Sequence, residues 1–94
     1  MLATNAELSG FSVEQQSRAL YMVATLRLAE ETFLQYQSGL VDEDYLRTRI
    51  GLAVTVILGS DAGLEMYERM RNILIPDFRT RLDEIVGARI ANAE

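Results

Sequence analysis

The chain reads as all-α: three to four antiparallel helices built on one long helical hairpin. Three observations predict this. An apolar stripe runs at helical spacing from Gln15 to Leu40, a glycine-centred reversal follows it at once, and each later apolar segment opens with a capping residue or the only proline. The predicted helices cover approximately 12–38, 42–58, 61–74 and 76–92, in a single domain spanning 1–94.

The first helix opens at Ser12, whose hydroxyl and the Gln15 side chain form the reciprocal pairing of a capping box. Gln15, Ala19, Met22, Leu26, Ala29, Phe33, Tyr36 and Leu40 then recur in steps of four and three, the spacing of one helical face. Gly39 stops the helix, because glycine adopts the left-handed conformation needed just past a helix end, and Leu40 is expected to fold back onto the last turn. Asp42 caps the second helix, with Glu43 and Asp44 where negative charge favours a helix N-terminus. So short a turn makes the two helices antiparallel.

Leu46, Ile50, Ala53 and Ile57 form the inner stripe of the second helix, while Leu52, Val54, Val56 and Leu58 fill its other sides. Its second half is therefore expected to be buried all round. The β-branched run there also fits a strand, but a lone strand has no pairing partner, so helix is the reading adopted. Ser60 or Asp61 caps a third helix carrying Leu64, Tyr67, Met70, Ile73 and Leu74. Pro76 opens a fourth with Phe78, Leu82, Ile85, Val86 and Ile90. Acid-first pairs at i,i+4 (Glu14/Arg18, Glu43/Arg47, Glu65/Arg69, Asp77/Arg81) support each helix, Arg27 is placed to reach Glu31 and Arg79 to reach Asp83. Arg49, Arg71 and Arg89 are left without a local acid.

Length adds a quaternary expectation. The first helix, at about 1.5 Å per residue, is roughly 39 Å long, whereas a compact domain of this size has a radius of gyration of about 12 Å. Its N-terminal half should overhang the hairpin, so Ala19, Met22, Val23 and Leu26 form a candidate self-association face, covered by the fourth helix or by a second copy.

Composition bounds the chemistry. The chain of 94 residues has no His, Cys, Lys or Trp, and its net charge is −5. An acidic surface opposes binding to a phosphate backbone, so no nucleic-acid partner is expected. Serine nucleophiles lack a His or Lys base, there is no thiol, and a di-iron carboxylate bundle would need Glu-x-x-His. Glu30 and Glu31, or Asp42, Glu43 and Asp44, could gather an oxygen-loving cation, but they lack further ligands and are accounted for as helix surface and helix cap. No cofactor is expected. No apolar run approaches the roughly 20 residues needed to span a bilayer, and the first ten residues lack the basic and apolar regions of a secretory signal.

The pattern Glu30-x4-Gln35-Tyr36-x2-Gly39-Leu40-x-Asp42-Glu43-x-Tyr45, followed by Pro76-x-Phe78 and Asp83 and preceded by Asn5-x-Glu7, resembles a loosely defined group of small uncharacterised bacterial helical proteins. The likeness covers most of the chain. It departs in having no Trp, where such sequences often carry aromatic pairs near Met66-Tyr67 and at Tyr45. Members often have a transmembrane helix ahead of a helical soluble region, so the resemblance implies a membrane tether in a longer protein and a cytoplasmic or membrane-associated location. It implies no activity. The functional expectation is a non-catalytic helical interaction or scaffold domain that self-associates as a homodimer, with Tyr36, Gly39, Leu40, Asp42 and Tyr45 as a structural hinge. Two alternatives stand beside it: a sensor domain holding a small ligand through Arg49 or Arg71 and a tyrosine, and a carboxylate metal-binding protein.

Overall fold

The computed structural model describes residues 12–93, in which four α-helices and a 3-10 turn follow one another: α1 (Val13–Gln37), α2 (Glu43–Leu58), α3 (Asp61–Met70), the turn Arg71–Ile73, and α4 (Pro76–Ala93). Asn5, Glu7 and the segment examined for a signal lie outside the described residues. The all-α hairpin expected from the stripe is present, and the β-branched run of α2 is helical.

Local chemistry sets the helix ends. The Ser12–Gln15 capping box forms in both directions, at 3.1 and 2.9 Å. Gly39 takes φ +79°, and the N–H groups of Gly39 and Leu40 donate to the carbonyls of Tyr36 and Gln35, closing α1 in a Schellman arrangement. The Leu40 side chain does not fold back as expected; it remains 75% exposed, so the backbone bonds alone make this cap. Asp42 Oδ1 accepts from the Tyr45 N–H at 2.8 Å, and Ser60 Oγ from the Gly63 N–H at 3.0 Å. The third helix ends earlier than expected, at Met70, and tightens into the 3-10 turn. Leu74 is extended (ψ 152°), so the chain leaves the 3-10 turn two residues ahead of Pro76, where α4 begins.

The molecule is a slab of 39 × 35 × 18 Å, about two helices thick, and α1 spans its long dimension. One side of the α1/α2 hairpin is covered by α3 and α4. The chain turns by 114° between α2 and α3, which lays α3 back over the hairpin. Gly63 permits that approach: a Cβ there would stand 2.6 and 2.7 Å from the carbonyl oxygens of Ile57 and Val56, backbone atoms that cannot swing aside. Ala19, Met22, Val23 and Leu26 are buried together with Ile57, Met66, Tyr67 and Met70 in one core. α1 therefore does not overhang the rest of the chain as expected. The N-terminal half of α1 is covered within the chain, by α3, and these four residues are not available as a self-association face.

α2 also departs from expectation. Val54 is buried, but Leu52 is 53% exposed and Thr55 is exposed, so its second half is not enclosed on every side.

Two substitutions test this backbone account. Gly39→Val should lower unfolding free energy in urea by more than about 1 kcal/mol, because a β-branched residue is disfavoured at positive φ. No atom lies within 4 Å of a Cβ at Gly39, so Gly39→Asn should recover most of the loss. Gly63→Ala should cost at least as much, through the clash with two carbonyls rather than through φ.

Candidate functional site

Three polar assemblies and one bare face stand out, and the first two hold the helices together. Glu30, 6% exposed, lies on the covered side of α1, where its Oε1 accepts from Arg27 Nη1 at 2.6 Å and its Oε2 from the Ile75 N–H at 2.7 Å. Ile75 occupies the N-cap position of α4 and has no side-chain oxygen to satisfy that end. A carboxylate from α1 supplies the acceptor instead, beside the positive end of the α4 dipole. Arg27 pairs with Glu30 and not with Glu31, because the former faces inward. The Arg27 Nε is buried and has no hydrogen-bond partner among the described residues. One turn along, Phe33 packs on Phe78 with ring centroids 5.3 Å apart.

The second assembly joins α3 to α4. Asp83 accepts from Tyr67 Oη at 2.6 Å and from Arg71 Nη1 at 2.7 Å. Burial, followed by the bond to Asp83 and that carboxylate's charge, pushes the Tyr67 hydroxyl well above the ordinary tyrosine range. Arg71, which had no local acid in the sequence, thus finds one across the fold. Arg79, expected on Asp83, reaches Asn72 instead at 3.4 Å. Glu14/Arg18, Glu43/Arg47 and Glu65/Arg69 pair as expected, all exposed and worth little. Asp77 and Arg81 form no ion pair among the described residues.

The third assembly is Tyr45 with Arg49. The guanidinium donates to the Tyr45 hydroxyl at 3.0 Å and lies 5.3 Å from the ring centre. Arg49 has no carboxylate partner among the described residues. It borders a groove of about 360 Å³ between α1 and α2, lined also by Tyr21, Thr25, Leu28, Leu52 and Thr55. Through Tyr21 and Val56 the groove continues into a second hollow of about 460 Å³, bounded by Met22, Ala62 and Met66.

The residues of the first groove form the side of the hairpin that α3 and α4 leave bare. Tyr21 is 63% and Leu28 47% exposed. The threonine hydroxyls do not face solvent as free donors: Thr25 donates to the Tyr21 carbonyl, Thr48 to Asp44 and Thr55 to Gly51, at 2.9, 3.0 and 2.9 Å. With each hydroxyl turned onto its own helix, the face can be covered without stranding a threonine donor. The hinge residues stand apart from it. Gly39, Leu40 and Asp42 close the hairpin at one end, Tyr36 packs against the core, and Tyr45 alone belongs to the bare face.

Among the described residues no three His, Cys, Asp or Glu lie close enough to share a metal ion, and no single helix is long and apolar enough to cross a membrane. No protein-family model, curated protein or solved structure matches the chain.

Two measurements check the polar joints. Glu30→Ala removes the acceptor for a buried N–H and the partner of a half-buried arginine, and should cost about 2–4 kcal/mol by chemical denaturation. Tyr67 favours its neutral form more strongly when folded than unfolded. Its contribution is thus fully present below about pH 10, where an unfolded tyrosine ionises, and lost as pH rises beyond it. Stability should fall above about pH 10, and Tyr67→Phe should be less stable at neutral pH but show a shallower alkaline loss.

Proposed function

We propose that the protein is a non-catalytic helical interaction domain that self-associates through the bare face of α1 and α2. The observation that carries this reading is the composition of that face. Tyr21, Leu28, Leu52 and Val56 lie together, the threonines between them are internally bonded, and Arg49 is the only charged side chain among the described residues that line the groove. Exposed apolar patches of this kind are unfavourable on a monomer unless something covers them. The absence of His, Cys and Lys from the chain removes the usual bases and nucleophiles, which is consistent with a binding role.

A second reading has a specific observation in its favour. Arg49 stands beside an apolar groove with guanidinium donors to spare, a setting suited to a small apolar anion. Decanoate is a suitable probe. Chemical-shift changes confined to groove residues and abolished by Arg49→Met would favour that reading, and no binding at millimolar decanoate would reject it.

Self-association is tested by light scattering coupled to size exclusion across a wide concentration range. The mass should rise from one chain to two. Leu52→Glu should raise the dissociation constant by at least about tenfold, or about 1.4 kcal/mol, with helical content unchanged. A single-chain mass at every concentration would overturn the proposal.

A further inference from the structure

We infer that two copies of this chain pack with α1 of each against α2 of the other, related by a two-fold axis running along the hairpin, so that four helices enclose the Tyr21–Leu28–Leu52–Val56 face. This rests on the self-association reading above and specifies the geometry of the interface.

Size, donor satisfaction and charge each bear on it. α2 is 16 residues long. At about 1.5 Å per residue and with axes about 10 Å apart, the two-helix face measures roughly 24 by 20 Å, or about 500 Å² in projection. A ridged helical surface exceeds its projection, which brings each copy toward the about 800 Å² per partner of a stable complex. The face is also able to dry: Thr25, Thr48 and Thr55 keep their hydroxyl donors within their own helices when covered.

Charge then chooses between the two ways of laying one face on the other. A two-fold axis across the helices sets α2 on α2 of the partner, bringing Arg49 toward its own copy. An axis along the helices preserves height, so each residue of α2 meets the α1 residues that flank it in its own groove. Arg49 shares that groove with Thr25, Leu28 and Ala29. It would then face these α1 residues of the partner, which carry no like charge.

The chain has no cysteine, so introduced thiols report the geometry directly. Leu28→Cys and Leu52→Cys proteins, one carrying a mass tag, are mixed and oxidised with diamide. The mixed 28–52 disulfide should form faster than either like–like product, and light scattering on the reduced mixture should give a two-chain mass. Thr25→Cys with Thr55→Cys repeats the test with less loss of apolar surface. A two-chain mass with like–like cross-links dominant, or with no cross-link from either pair, overturns this arrangement and leaves self-association standing. A single-chain mass for the wild-type protein overturns both.

Discussion

The Glu30 carboxylate is the interaction on which the rest of this fold turns. It is buried, bonded on one oxygen to Arg27 and on the other to the Ile75 N–H, and so fixes where α4 begins relative to α1. A buried carboxylate is costly unless both oxygens are satisfied, so this geometry admits little movement. With Ile75 held, Pro76 starts α4 in place, Phe78 meets Phe33, and Asp83 comes within reach of Tyr67 and Arg71. The three contacts follow in order along α4, so the helix is located near its start and again two turns later.

That arrangement explains why one side of the hairpin is covered and the other is not. Glu30 lies on the inward side of α1, and α4 attaches there, while Gly63 lets α3 press against the end of α2 on the same side. α3 and α4 use their buried apolar residues on this one surface. Tyr21, Leu28 and Leu52 on the opposite side receive nothing from the described chain. The functional proposal is a consequence of this asymmetry: a small all-α chain with one fully covered hairpin face has an apolar face left over.

Local signals carried much of this in the sequence. Ser12, Gly39, Asp42 and Ser60 act through bonds to residues within a few positions, so their roles could be read from spacing alone. Glu30 was also legible in principle, since it falls between Leu26 and Phe33 at steps of four and three on the buried face, and Ile75 leaves α4 without a local cap. Composition alone groups it with Glu31 as helix surface, because acids are seldom buried. By sequence neighbours alone Arg27 falls to Glu31 and Arg79 to Asp83, and Arg71 has no local acid. For Arg71 the acid that mattered lay across the fold, and burial selected Glu30 over Glu31 for Arg27.

The sequence by itself determined the helices, the N-caps of α1, α2 and α3 and the antiparallel hairpin, because each depends on backbone bonds and side chains within about one turn of each other. Which face of that hairpin stays exposed was decided only in the tertiary structure. Leu26 and Leu28 are alike in chemistry and two residues apart, yet one is fully buried and the other half-exposed. The difference comes from where α3 and α4 dock. That docking is set by a buried carboxylate bonded across the fold to the start of α4 and by a glycine packed on the end of the preceding helix, and neither appears in a hydrophobic period.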